Sequence, residues 1–228
     1  MATDAVTAES AGTGAMDNVV ADLAADRQAF AVPWGKLMMW IFLLSDTFIF
    51  SCFLIGYMHV RMSTTVPWPN VSEVFSLTVG HTRVPLLLIA IMTMVLITSS
   101  GTMAMAVNYG YRRNRAYTAA LMLITAGFGA TFVGMQAFEW TKLILVEGIR
   151  PWANPLGAGQ FGASFFMITG FHGLHVSAGV IYLTVVARRV WNGFYDRKGS
   201  YETVEIAGLY WHFVDLVWVF IFAFFYLW

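Results

Sequence analysis

Six ionisable side chains lie inside long apolar stretches where hydrocarbon should reject them: Asp46, Glu139, His172, His175, His212 and Asp215. A charge at the centre of an inserting helix costs about 2.5 to 3.5 kcal/mol even on a lenient scale, so each group must face protein and find a partner. Three kinds of chemistry are open to them. They can hydrogen-bond one another and lock helix packing. They can relay protons or hold a lipid head group, a common duty of intramembrane acids and histidines. They can also ligate, because His172 and His175 share one helix face and, with His212 and a carboxylate, make up a set that a transition metal accepts. Packing weighs most, since leaving any of these groups unpaired is so unfavourable. Ligation weighs least, because no second carboxylate-histidine helix pair of the di-iron bundle kind is present.

The elements that carry these residues follow from composition. The chain has 228 residues, of which 58% are hydrophobic and 11% charged, against about 25% charged in a soluble domain, and its mean hydropathy is +0.66. It reads as a membrane protein. Thirteen basic and thirteen acidic residues cancel, which leaves no basic field for nucleic acid. Cys52 is the single cysteine, so an internal disulfide or a multi-thiolate metal site is excluded. Residues 1–33 form an acidic tail with Asp4, Glu9, Asp17, Asp22 and Asp26 against one basic residue, Arg27. That is neither a signal nor a transit pattern, and predicts a mobile cytoplasmic segment.

Residues 34–228 form one predicted domain, an all-α bundle of five transmembrane helices at about 36–60, 84–108, 117–140, 160–187 and 203–227. Each stretch exceeds the roughly 20 residues that a bilayer core of about 30 Å requires, and none alternates as a spanning strand would. Of the 13 basic residues, nine fall on the side of the tail and four on the other. The excess places the N-terminus in the cytoplasm and the C-terminus on the outer, periplasmic side. Ala126, Ala130 and Gly134, four apart on the third span, predict close helix approach. Depth brings four polar groups level. Counted from the cytoplasmic ends, Asp46 lies about 15 Å in, His212 about 13 Å, and His175 and His172 about 18 to 22 Å. A cluster of these four is geometrically allowed.

The same residues sit in recognisable segments. FGASFFMITGFHGLHVSAG at 161–179, and Glu205 followed by YWHFVDLVW at 210–218, resemble two long motifs of subunit III of the haem-copper terminal oxidases. LMMWIFLLSDTFIFSCF at 37–53 resembles that family's helix with a serine-acid pair, and Gln136, Glu139 and Trp140 resemble its Q-x-x-E-aromatic ending. Asp46 stands where the family commonly has glutamate, and Asn108 ends a helix that often ends in histidine. Five spans are similar to the short form lacking the first two of seven.

The resemblance implies a non-catalytic subunit in a bacterial inner membrane, packed against the large catalytic subunit that carries haem and copper. It would hold no redox centre itself. Phospholipid would be bound, with Trp34 and Arg61 as head-group contacts, and proton uptake by the large subunit would be supported. The buried polar or lipid-linked set would be Asp46, Glu139, His172, His175, Glu205, His212 and Asp215. One alternative is an accessory subunit of a nitric oxide reductase. Another is a metal or haem protein using His172, His175 and His212. A proton-coupled transporter using Asp46, Asp215 and Glu139 is disfavoured, because no internal repeat or broken helix pair occurs.

Overall fold

A computed structural model describes residues 32–79, 82–152, 154, 155 and 157–227. Most of the expected acidic tail and Trp228 lie outside the described residues. Two compact units divide the chain, Met1–Trp40 and Ile41–Trp228. The described part of the first holds the opening turns of helix α1 (Trp34–Ser63). There the Pro33 carbonyl accepts from the backbone N–H groups of Lys36 and Leu37, and Trp34 is exposed.

The second unit contains the rest of α1, then a short helix α2 (Val71–Val74), the strands β1 (Ser76–Val79) and β2 (Thr82–Pro85), and the helices α3 (Leu87–Tyr111), α4 (Arg115–Leu145), α5 (Gly159–Trp191), α6 (Phe194–Lys198) and α7 (Glu202–Phe222), with a π-turn over Ala223–Leu227. Among the described residues five helices are long and apolar enough to cross a membrane, and each overlaps a predicted span. The hairpin was not expected. Its strands pair antiparallel, Ser76 with Pro85 and Val79 with Thr82. At four residues each they reach only about 13 Å, far short of a bilayer.

Helices α3, α4, α5 and α7 form a closed ring of neighbours, α3 on α4, α4 on α5, α5 on α7 and α7 on α3. The inner stripe of α7 explains its place. Val204, Ala207, Gly208, Trp211, Val214, Trp218 and Ile221 are buried, a three-and-four spacing that lines one helix face. Trp211 is the keystone. Its indole lies between α4 and α5, where a Cβ added at Gly129 would come within 2.4 Å of Trp211 Cη2 and one at Gly179 within 3.0 Å of Cζ3. Its Nε1–H donates to Ser99 Oγ of α3 at 3.0 Å. One side chain thus ties three helices together.

The small-residue row on α4 needs a correction. Ala126 is buried, but Ala130 and Gly134 are exposed, and a Cβ at Gly134 would touch nothing. Steps of four advance about 400° at 100° per residue, so the row drifts off the contact by about 40° a step, whereas steps of seven drift only about 20°. Met122, Gly129, Gln136 and Leu143 follow the seven-residue row, and all are buried.

At the α6–α7 corner, Tyr201 donates its phenolic O–H to the Asp196 carboxylate. Burial first, then the hydrogen bond and charge of Asp196, push this phenol up to about 12 against the pull of Arg115 and Arg113. The folded chain therefore keeps a proton that the unfolded chain loses near pH 10, and stability must fall as pH rises from about 10 to about 12. Thermal unfolding of the wild type and Tyr201→Phe across that window should show the steeper decline in the wild type, with the two profiles parallel below pH 9.

Candidate functional site

The buried face of α1 carries Leu43, Asp46, Phe50, Leu54 and Tyr57, again at helical spacing. Asp46 is therefore turned inward by its apolar neighbours. Its Oδ2 lies 3.4 Å from Nε2 of His175 on α5, close enough for strong electrostatic contact, though without a hydrogen bond at Oδ2. His175 Nδ1 lies 2.8 Å from the Phe171 carbonyl. A carbonyl only accepts, so Nδ1 carries a hydrogen and Nε2 faces the Asp46 carboxyl. The pair is closed in by Phe50 and Phe171, whose rings lie 5.7 and 4.7 Å from that of His175, and Tyr210 of α7 donates to the His175 carbonyl at 3.0 Å.

His172 is fully buried yet turned to a different neighbour. Its ring stacks on Trp218 at 5.3 Å and meets the edge of Phe132 at 5.8 Å. Neither ring nitrogen has a hydrogen-bond partner among the described residues. Trp218 is fixed in turn by Thr93 of α3, which accepts its Nε1–H at 3.0 Å. His212 points to α3 instead, with Nδ1 2.6 Å from Ser100 Oγ, and Asp215, one turn on, is buried with its Oδ1 lacking a hydrogen-bond partner among the described residues. Near the far end of α4, the Glu139 carboxylate receives the Gln136 amide at 3.5 Å and the Tyr226 hydroxyl at 3.4 Å.

The four groups that depth made level are thus divided between two contacts and one aromatic stack. Asp46 and His175 meet; His172 and His212 do not join them. Among the described residues no three His, Cys, Asp or Glu side chains converge. Depth is one coordinate and the direction around the helix axis is the other. On α5 the three-residue step from His172 to His175 turns about 60° short of a full revolution, enough to address α7 with one ring and α1 with the other. Glu205 lies half-buried in the first turn of α7. Arg61 donates to the Tyr57 hydroxyl at 3.4 Å.

Sequence reasoning missed Ser99, Ser100, Thr93 and Gly129. The signal was present in the Ser99-Ser100 pair at the middle of an apolar run, which needs donors or acceptors from a neighbouring helix. It also missed an apolar groove of about 320 Å³ between α1 and α7, lined by Thr47, Phe50, Leu54, Leu216, Phe220 and Phe224 among others. Because Asp46 and His212 share no partner, the variants Asp46→Ala and His212→Leu should add to within about 0.5 kcal/mol in a double-mutant cycle of thermal stability. Coupling above 1 kcal/mol would contradict the division described above.

Residues 19–228 match the model of a family described as cytochrome c oxidase subunit III. The chain is similar to a probable quinol oxidase subunit 3 of Staphylococcus saprophyticus, 32% identical over 202 residues, 87% of this chain and 90% of that one. It is 30% identical over 188 residues to a cytochrome bo(3) ubiquinol oxidase subunit 3 of Pseudomonas aeruginosa, covering 82% of each. A cytochrome c oxidase subunit 3 of Lemur catta is 32% identical over 192 residues, and there the match spans 83% of this chain but 65% of the lemur protein.

Proposed function

The chain belongs to the cytochrome c oxidase subunit III family, and on that footing we propose that it serves as a non-catalytic subunit beside the haem- and copper-bearing large subunit of a bacterial respiratory oxidase. The observation that carries the proposal is the family match over residues 19–228, which takes in all five spans. Coverage of 90% of the staphylococcal protein against 65% of the lemur one favours the short bacterial form and hence the bacterial plasma membrane.

Haem and copper belong to the partner in this reading. The donors of this chain do not fit either group, because His172 is packed between Trp218 and Phe132 and His212 is engaged by Ser100. What its own residues do is structural and protonic. The Asp46–His175 contact fastens α1 to α5 and sets a carboxyl beside an imidazole near mid-depth, the feature through which the subunit would support proton uptake. The α1–α7 groove is apolar and opens within the membrane-spanning segments, which suits an acyl chain of a structural phospholipid, with Arg61 assigned to a head group.

The test is co-purification. A tag on this chain should bring down a haem-containing large subunit, and the complex should consume oxygen. Recovery of the chain alone, or of a complex that turns over nitric oxide and not oxygen, would overturn the assignment.

A further inference from the structure

Glu139 is almost fully buried on α4, and neither of its hydrogen-bonding partners fixes its charge. Gln136 Nε2 and the Tyr226 hydroxyl meet the same oxygen, Oε2, at 3.5 and 3.4 Å, beyond the usual range for such bonds, so neither grips the carboxyl tightly. A primary amide and a phenol each carry both a donor and an acceptor. As placed, they donate to an ionised carboxyl. With the amide turned over, Gln136 Oε1, which is buried without a hydrogen-bond partner among the described residues, would accept from a protonated one. An arginine in either place would satisfy only the ionised form. The partners of Glu139 thus suit both of its protonation states, which a purely structural clasp does not require. Tyr226 itself arrives through the π-turn over Ala223–Leu227, which buries Phe225 and Tyr226 side by side, and such turns are frequent at functional sites.

The carboxyl also has room beside it. A cavity of about 10 Å³ is lined by Glu139, Lys142, Leu143, Leu88, Val74 and Phe75. That is about the least space that holds one water, and Glu139 and Lys142 supply the two polar contacts a water needs. Val74, Phe75 and Leu143 are buried, whereas Leu88 and Lys142 are half-buried, so these two form the rim. Lys142 lies in the last turn of α4, where a lysine extends its ammonium to the aqueous boundary. We propose that Glu139 is a proton-exchange site, whose carboxyl gives a proton to and takes one from a single water lodged beside Lys142. In release the carboxyl O–H bond breaks, the water becomes hydronium, and its extra proton passes to the solution at the end of the bundle where α4 finishes; uptake is the reverse. Among the described residues the groups that line the cavity from α2, α3 and position 75 are apolar, and the titratable neighbours are Lys142 and Tyr226. The site is separate from the Asp46–His175 contact, which Phe50 and Phe171 close in, and does not depend on the oxidase assignment.

Infrared spectroscopy of the full chain in lipid nanodiscs tests the site. A protonated carboxyl has a carbonyl stretch that stands apart from the amide bands and shifts when its proton is replaced by deuterium. Scanned from about pH 4 to about pH 10, the wild type should show one such band that Glu139→Gln lacks and Asp46→Asn keeps. On mixing with heavy water that band should shift at once. Leu88→Phe adds bulk at the half-buried rim. It should leave the unfolding midpoint unchanged and slow the shift at least about tenfold, because exchange must then wait for local opening of the helices. Tyr226→Phe removes one donor from Oε2 and should move the band to higher frequency. A Glu139 band that is absent throughout the scan, that resists exchange in the wild type, or that exchanges as fast in Leu88→Phe as in the wild type would overturn the proposal.

Discussion

Gly129→Leu is expected to destabilise the chain by about 3 kcal/mol or more, measured as the loss in unfolding free energy in detergent micelles. The smallest side chain at this position already meets Trp211 Cη2 at 2.4 Å and Val180 Cγ2 at 2.7 Å, distances that real Cβ contacts do not show. Neither neighbour can yield cheaply. Trp211 is almost fully buried, touches the Gly179 position on α5 and donates to Ser99 on α3, so displacing it breaks contacts with three helices at once. In a membrane the loss is one of close packing and an interhelical hydrogen bond, since lipid tails are as apolar as the core. The atoms in conflict belong to the six-membered ring of the indole. Trp211→Phe shortens the side chain, so the double variant Gly129→Ala with Trp211→Phe should be less destabilised than the sum of its singles. A Gly129→Leu chain with an unchanged unfolding midpoint would remove Trp211 from its central position.

The second large effect is at the pair that joins α1 to α5. Asp46→Ala or His175→Leu alone should cost about 3 to 5 kcal/mol, the range seen when one member of a buried ion pair is deleted and the other is left without compensation. The paired change Asp46→Leu with His175→Leu should recover most of that loss, because two apolar side chains of similar volume need no counter-charge. The same set of variants separates fastening from proton handling. If the contact acts as a fastener, the double variant regains both stability and oxygen consumption in the assembled complex. If the pair passes protons during turnover, the double variant is stable but slow. Asp46→Ala is expected to loosen α1 and reduce retained lipid more than it abolishes oxygen reduction.

Much of this architecture was legible in one dimension. Hydropathy and length located five spans to within a few residues, because a bilayer enforces one requirement, about 20 apolar residues with every backbone group bonded internally. The hairpin β1–β2 and the short helices α2 and α6 escaped, being too brief to carry a periodic signal. Within the site, the acids and histidines announced themselves by depth, and the motifs around them pointed to the family that the comparison of residues 19–228 then supported.

What the sequence determined alone is the set of segments that enter the membrane and the polar groups they take with them, since both follow from the free energy of moving each residue out of water. What only the tertiary structure decided is which of those groups meet. Asp46 could have faced His172, His175 or His212 at similar depth, and the choice of His175 depends on how α1, α5 and α7 are rotated about their axes. That rotation is set by interlocking shapes such as Trp211 against Gly129 and Gly179. Shape complementarity between helices is a property of pairs of surfaces, and a linear pattern of hydropathy does not contain it.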